Sequence, residues 1–204
     1  MISIVDYGVG NIYAIANIYK RLNISVQMAR TPEELDGAER IILPGVGSFD
    51  WAMARLDHSG LRPTLDELVL SKGRPVLGIC VGMQMLAKRS QEGSMQGLGW
   101  IDAEVRKFDC GKQAHRTYLP HMGWNDVTPR SRNGLFKSIG EDGRFYFLHS
   151  YYFAPGDASA ILAVTDYGGA FASSIRTDNI YGVQFHPEKS HQWGIQLLRN
   201  FAEV

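Results

Sequence analysis

Cysteine is scarce in this sequence, and neither sign of charge is in excess. The chain of 204 residues contains two cysteines, Cys80 and Cys110, which are too few for a disulfide framework in a chain of this size. Lysine plus arginine number 21, as do aspartate plus glutamate. No surplus of positive charge is therefore present to recruit nucleic acid or an anionic membrane. We expect a cytoplasmic protein that binds neither nucleic acid nor membranes.

Long apolar runs, a basic leader and metal-binding spacings are also missing. No apolar run approaches the roughly 18 residues that span a bilayer, and the first six residues soon turn polar, unlike a secretory signal. The six histidines show no ligand spacing for zinc. Gly8-Val9-Gly10 follows a predicted strand, but Tyr13 stands where a dinucleotide fingerprint needs its third glycine. We therefore expect neither a metal nor another cofactor.

The first half of the chain alternates between strand and helix patterns. We predict strands at residues 2–5, 25–28, 40–43 and 76–79, and helices at 12–22, 49–56, 61–70 and 81–87. Strands separated by helical crossovers are typical of a parallel sheet that is covered on both faces.

The second half contains closely spaced β patterns. A terminal helix is predicted at 195–201 and exposed loops at 109–116 and 128–133. The β runs cover residues 101–108, 143–153, 160–165, 170–176 and 180–185. They favour antiparallel strands added to the parallel sheet. The sequence thus predicts an α/β fold with a doubly wound, mostly parallel sheet and added antiparallel strands, in a single domain over residues 1–204.

Cys80 lies where a buried-looking strand turns into a helix. Gly78-Ile79-Cys80-Val81-Gly82 is the thiol version of the G-x-S-x-G nucleophile elbow, in which glycines permit a sharp turn. Unpaired N–H groups at the amino end of a helix favour a thiolate over a thiol. We therefore predict that Cys80 is a nucleophile. Cys110 lies in a polar loop without a base pattern and is interpreted as a bystander.

A cysteine nucleophile needs a base, and His186 is the best candidate. A β run ends at His186, and Pro187 stops it there, so the imidazole is expected at the edge where open α/β sheets place their sites. Glu188 follows two residues later and is suited to orienting the ring. The order Cys, His, Glu differs from the order nucleophile, acid, His of α/β-hydrolases. His121 and His149 are interpreted as packing or hydrogen-bonding residues.

The sequence resembles the class I, triad-type glutamine amidotransferases, and among them the glutaminase subunits of imidazole glycerol phosphate synthase. The resemblance covers almost the whole chain and implies a flavodoxin-like fold that releases ammonia from glutamine for histidine biosynthesis. It is carried by the Cys80 and His186 segments and by Asp6-Tyr7-Gly8-Val9-Gly10-Asn11, Pro44-Gly45-Val46-Gly47-Ser48-Phe49, Leu119-Pro120-His121-Met122-Gly123-Trp124-Asn125 and His149-Ser150-Tyr151.

The resemblance also implies roles for single residues. Cys80 would attack the side-chain amide of glutamine and form a thioester, with His186 moving the proton and Glu188 orienting His186. The oxyanion donors would be the N–H of Val81 and the Val46–Gly47 turn, after a peptide flip. Relatives usually carry leucine where Val81 stands, but the role needs only a backbone N–H. The residues expected to hold glutamine are Gln84, Ser150 and Tyr151.

A partner is implied by the same resemblance. In this family the glutaminase forms a heterodimer with a TIM-barrel cyclase, through which ammonia travels without meeting bulk water. The residues that match partner-facing segments are Asn11, Pro120, Met122, Trp124, Asn125 and Lys189.

Three other interpretations remain open at the level of sequence. One is a paralogous glutaminase that feeds a different synthase, such as a surface-sugar amidotransferase. A second is a non-catalytic subunit that only caps its cyclase, and a third is a stand-alone γ-glutamyl hydrolase or cysteine peptidase.

Overall fold

An eight-stranded sheet forms the centre of the computed structural model, which describes residues 1–109 and 118–204. The strand order is β2-β1-β3-β4-β13-β12-β11-β8. The first five of these strands run parallel, and the other three are antiparallel. Their bounds are β1 Ile2–Val5, β2 Val26–Ala29, β3 Arg40–Gly45, β4 Val76–Cys80, β8 Thr128–Pro129, β11 Ile161–Asp166, β12 Ala170–Thr177 and β13 Ile180–Val183.

Helices flank this sheet. They are α1 Ile12–Arg21, α2 Pro32–Asp36, α3 Phe49–Ser59, α4 Arg62–Asp66, α5 Val81–Gln84 and α6 His191–Phe201, with a π-helical turn at Glu67–Ser71. Short 3-10 turns lie at Gly134–Phe136, Ala158–Ala160 and Pro187–Lys189. The prediction that the elbow helix reaches residue 87 is wrong. The carbonyls of Met85, Leu86 and Ala87 instead accept hydrogen bonds from the N–H groups of residues 98, 101 and 99.

Two smaller sheets stand beside the main one in the described part of the chain. Strands β10 Tyr151–Pro155, β6 Ala103–Lys107 and β5 Arg89–Ser90 form a three-stranded sheet in that order. Strands β7 His121–Asp126 and β9 Arg144–His149 form an antiparallel ribbon.

The predicted antiparallel additions to the main sheet are confirmed for β11 and β12. They are wrong for the runs at 101–108 and 143–153, which belong to the two smaller sheets. The second run is interrupted at Ser150, where the chain leaves the ribbon for the three-stranded sheet.

Strand β13 pairs parallel to β4 and antiparallel to β12. Part of the loop predicted at 128–133 forms β8, while Cys110 and most of the loop predicted at 109–116 lie outside the described residues.

Burial follows from this layering. Every residue of β1 and β4 is buried, as expected for parallel strands covered on both faces. Helix α1 buries Ile12, Ile15 and Tyr19, and the Tyr19 hydroxyl donates to the Leu198 carbonyl at 3.0 Å, which ties α1 to α6. Among the described residues, none of the helices has the length and apolar character needed to cross a membrane.

Candidate active site

The turn at Cys80 has the backbone conformation of a nucleophile elbow. Strand β4 ends at Cys80 and α5 begins at Val81, and Cys80 has φ 55° and ψ −112°, a region that non-glycine residues rarely occupy. A Cβ at Gly82 would lie 1.9 Å from the Leu43 carbonyl oxygen, and one at Gly78 would lie 2.7 Å from the Gly82 oxygen. The two glycines therefore permit the close packing of α5 on β3 and β4 that fixes the elbow.

The Cys80 sulfur is enclosed but is in contact with polar groups. Cys80 is 3% exposed, and its Sγ lies 3.9 Å from the Leu148 carbonyl oxygen and 3.9 Å from Gln184 Nε2. His186 lines the same cavity as Cys80, and the charge of Cys80 acts on its ring. The sequence motif around His186 contains Gln184, but its position beside the sulfur is visible only in the structure.

His186 is held at one ring nitrogen and through its backbone. His186 Nδ1 lies 2.9 Å from Glu188 Oε1, and the two side chains are only 4% and 2% exposed. Asn11 Nδ2 donates to the same Oε1 at 2.8 Å. The His186 N–H donates to the Tyr146 carbonyl at 2.8 Å, so strand β9 anchors the histidine where β13 ends. The structure thus places the hydrogen-bonded pair of His186 and Glu188 at the cavity that Cys80 lines.

Electrostatics favour the charged forms of both members of the buried pair. Burial opposes the imidazolium of His186, but the charge of Cys80 and hydrogen bonds to Cys80 and Glu188 outweigh it and raise the pKa of His186 to about 10. Burial also opposes the charged form of Glu188, which by itself would raise the pKa of this carboxyl group. Its hydrogen bond and charge interaction with His186, together with the Asn11 amide, outweigh that effect and lower the pKa.

A cavity of about 330 Å³ opens onto the sulfur. Besides Cys80 and His186, its wall contains predicted oxyanion, glutamine-binding and partner residues, namely Val46, Gly47, Val81, Ser150, Tyr151, Pro120 and Lys189. Three lining residues were not assigned to the site from the sequence: Glu92, Leu148 and His149. Glu92 follows the two-residue strand β5 and carries no motif, so the sequence offered no signal for it.

Gln84 does not line this cavity. It is 2% exposed, and its Nε2 donates to the Tyr151 carbonyl at 3.0 Å and to Gln184 Oε1 at 3.1 Å. In this structure Gln84 therefore supports the Tyr151 backbone from behind the cavity wall.

The predicted oxyanion elements line the same cavity as the sulfur. The Val81 N–H lies in the first turn of α5, where N–H groups have no intrahelical acceptor. Val46 is 36% exposed, and Gly47 has φ +84°, which a residue with a side chain rarely adopts.

Residues matched to a partner surface divide into two groups. Met122 and Trp124 are 65% and 37% exposed and alternate along β7 with the buried or half-buried His121, Gly123 and Asn125. Trp124 also stacks on His191 with the ring centroids 5.0 Å apart. Asn11 is instead engaged with Glu188, and the Lys189 ammonium lies 5.6 Å from the centroid of the Tyr146 ring.

A larger cavity of about 540 Å³ lies elsewhere, lined by residues 100–102, 155–157, 159–160 and 176–178. It contains none of the predicted site residues, so we assign the site to the smaller cavity that holds the sulfur. No cluster of His, Cys, Asp or Glu suited to a metal occurs among the residues that the structure describes.

The model of the glutamine amidotransferase class-I family matches residues 3–204. The chain belongs to this family. Its fold is similar to those of two solved structures. A glutamine amidotransferase crystal structure has a TM-score of 0.77 at 21% identity, covering 100% of this chain and 99% of its own. The structure of PurLQS from Thermotoga maritima has a TM-score of 0.74 at 17% identity, covering 99% and 97%.

Curated relatives match this class-I amidotransferase from end to end. "Imidazole glycerol phosphate synthase subunit HisH" of Bdellovibrio bacteriovorus is 56% identical over 204 residues, which is 100% of both chains. The protein of the same name from Leptospira borgpetersenii is 50% identical, again over 100% of both chains.

Proposed function

We propose that this chain is the glutaminase subunit of imidazole glycerol phosphate synthase and supplies ammonia for histidine biosynthesis. The observation that carries the proposal is the buried pair of His186 and Glu188, with His186 on the wall of the cavity that Cys80 lines, in a chain that matches HisH subunits over its full length. We also propose that residues 1–204 act as a single domain and that the protein works in the cytoplasm.

The reaction follows from the proposed roles. His186 takes the proton of the Cys80 thiol, and the sulfur attacks the side-chain amide carbon of glutamine. The excess charge moves to the carbonyl oxygen, which the Val81 N–H and the Val46–Gly47 turn stabilise. The carbon–nitrogen bond then breaks, and ammonia leaves with a proton from the His186 imidazolium. Neutral His186 takes a proton from water as the water attacks the thioester. The carbon–sulfur bond breaks, glutamate is released, and the His186 imidazolium returns its proton to the sulfur, which restores the Cys80 thiol.

Glu188 keeps the His186 ring in the orientation that these proton transfers need. Its Oε1 accepts the hydrogen bond of His186 Nδ1, so the other ring nitrogen remains available to the sulfur and the leaving ammonia. Glu92 adds a negative charge to the cavity wall, and this charge is suited to the α-ammonium group of glutamine.

The outer face of β7 is proposed to dock a TIM-barrel cyclase. Exposed Met122, Trp124 and Leu148 form an apolar surface on the ribbon, and aromatic and methionine side chains are enriched at interface centres. The Leu148 carbonyl oxygen lies 3.9 Å from the Cys80 sulfur, so a partner on this face would adjoin the point where ammonia is released.

The paralogous assignment to another synthase is not favoured, because the full-length relatives carry the name of the imidazole glycerol phosphate synthase subunit. The non-catalytic cap and the stand-alone hydrolase make different predictions about the complex. A cap would turn over glutamine equally well without the thiol, and a stand-alone hydrolase would be fully active without a partner.

Cys80→Ala tests the proposal in the complex with the cyclase. We expect loss of glutamine-dependent turnover, while turnover with added ammonia persists because the cyclase chemistry is intact. Cys110→Ala is the matched thiol control and should keep both activities. Persistent glutamine-dependent turnover in Cys80→Ala, or rapid hydrolysis by the isolated wild-type chain, would reject the proposal.

A further inference from the structure

A hydrogen-bonded chain of four residues runs from the ribbon to the cavity. Asn125 Nδ2 lies 3.2 Å from His121 Nε2, and His121 Nδ1 lies 3.0 Å from His149 Nε2. His149 Nδ1 lies 2.8 Å from the Tyr151 carbonyl oxygen. The amide of Asn125 also donates to the Asp166 carbonyl at 2.9 Å.

The donor and the acceptor of each hydrogen bond in this series follow from the chemistry of the groups. A carbonyl oxygen only accepts, so His149 Nδ1 must carry a hydrogen and a neutral His149 accepts at Nε2. His121 then donates from Nδ1 and accepts at Nε2 from the Asn125 amide, which is a donor. Both histidines are therefore neutral Nδ1–H tautomers. All four ring nitrogens of His121 and His149 have a partner within this series of hydrogen bonds.

The surroundings of the two rings favour these neutral forms. His121 stacks between Phe147 and Tyr167, with centroids 4.6 Å and 3.8 Å away. Phe108 and Phe171 pack on His149 at 5.4 Å and 5.3 Å.

Burial is the main reason why the pKa of His121 is lowered to about 4 and that of His149 to about 3. The hydrogen bond to the Tyr151 carbonyl opposes the shift of His149, whereas the positive charges of His121 and His186 lower the pKa of His149 further. Tyr167 is the titratable neighbour of His121, and its hydroxyl donates to the Tyr118 carbonyl at 2.6 Å.

The Tyr151 carbonyl is where this series of hydrogen bonds reaches the active-site cavity. It accepts from His149 on one side and from Gln84 on the other, which uses both of its lone pairs. Gln84 also donates to Gln184, which lies beside the Cys80 sulfur. Ser150 and Tyr151 line the cavity. The peptide that lines the cavity is therefore fixed from the nucleophile side and from the ribbon side.

We propose that His121 and His149 are positioning residues that hold the Ser150–Tyr151 backbone in the conformation that binds glutamine. The inference rests on the proposed glutaminase function. The two residues act through Tyr151, because all four of their ring nitrogens are engaged with Asn125, with each other and with the Tyr151 carbonyl. Since His121 belongs to β7, whose outer face carries Met122 and Trp124, the same chain transmits the placement of the ribbon to the glutamine pocket.

His121→Phe and His149→Phe in the complex provide the kinetic test. Phenylalanine keeps the aromatic packing and removes the hydrogen bonds. We expect KM for glutamine to rise about tenfold or more in each variant, with a smaller change in kcat, because buried groups lose their partners. Phe201→Leu, which alters buried packing against Tyr181, controls for general loss of stability and should leave KM unchanged.

The tautomers give an independent readout in the full-length wild-type chain. Selective ¹⁵N labelling of histidine should show two neutral Nδ1–H rings whose signals do not titrate between pH 5.5 and 8. In Asn125→Asp, a carboxylate replaces the donor that faces His121 Nε2, so the His121 signals should move toward the imidazolium form.

Two results would overturn the inference: an unchanged KM in both phenylalanine variants, or two Nε2–H tautomers in the wild-type chain. Failure of the glutaminase proposal itself is distinguishable, because the wild-type complex would then show no glutamine-dependent turnover at all.

Discussion

Asn11 Nδ2 lies 2.8 Å from Glu188 Oε1, although the two residues are 177 positions apart. The same carboxylate oxygen accepts the hydrogen bond of His186. Asn11 directly precedes α1, and its motif resemblance assigned it to the partner surface. Its contact with Glu188 connects that segment to the proposed catalytic line, so a change at Asn11 acts on the chemistry of the site.

Asn11→Ala removes one hydrogen bond from the Glu188 carboxylate. The pKa of Glu188 should rise, and kcat/KM for glutamine should fall about tenfold, since hydrogen bonds to charged groups contribute about 1.5–3 kcal/mol. The measurement is the pH profile of kcat/KM, whose acidic limb should move to higher pH. Exposed Asn133 lies outside the cavity lining, and Asn133→Ala should leave the profile in place. Equal profiles for the two variants would contradict this prediction.

Glu188→Gln keeps the size of the side chain and removes its charge. Without the carboxylate the imidazolium of His186 is less stable, so kcat should fall by about 10² to 10⁴. Steady-state glutamate release by the complex measures this change. Loss of less than threefold would show that Glu188 is not needed to orient or stabilise the ring.

The stability of the fold should depend on pH through His186. Its pKa in the folded protein is raised from 6.5 to about 10, so its stabilising effect is complete below about pH 6.5 and is lost as the pH rises through about 10. The free energy of unfolding of wild type should therefore fall between pH 7 and pH 9.5. Urea unfolding should show a shallower fall in His186→Asn, which lacks this titration. Parallel slopes would argue against the raised pKa.

Gly82→Ala tests the packing that fixes the elbow. The new Cβ would lie 1.9 Å from the Leu43 carbonyl oxygen, a backbone atom that cannot move away cheaply. We expect the free energy of unfolding to drop by about 1–3 kcal/mol or more. Gly37→Ala is the matched control, because nothing lies within 4 Å of its Cβ; it should be neutral or stabilise by up to about 1 kcal/mol. Similar urea midpoints for both variants would refute the packing argument.

Met122→Glu tests the proposed docking surface. Met122 is 65% exposed, so the fold should tolerate the charge, whereas a buried interface would not. The Kd of the complex with the cyclase should rise tenfold or more, measured by titration calorimetry. Leu70 is 57% exposed in the π-helical turn, and Leu70→Glu should leave Kd unchanged. If the two variants bind equally well, the cyclase docks elsewhere.

Local patterns were sufficient to predict much of the main sheet. Strand β1 and the start of β4 were predicted because parallel buried strands read as unbroken apolar runs. The elbow was predictable because Gly78 and Gly82 mark a turn that permits close backbone contact. The ribbon strand β7 was not predicted as a strand, since His121, Gly123 and Asn125 interrupt the apolar alternation on which strand prediction depends.

The sequence by itself was sufficient to predict the proposed nucleophile, its base and their order in the chain, because each lies in a short motif whose local conformation can be read from neighbouring glycine and proline residues. Only the tertiary structure decided what surrounds them. Glu92 enters the cavity, Asn11 reaches Glu188, and His121 connects to His149 through contacts between residues far apart in sequence. Such contacts depend on how strands and helices pack, and no local pattern encodes that arrangement.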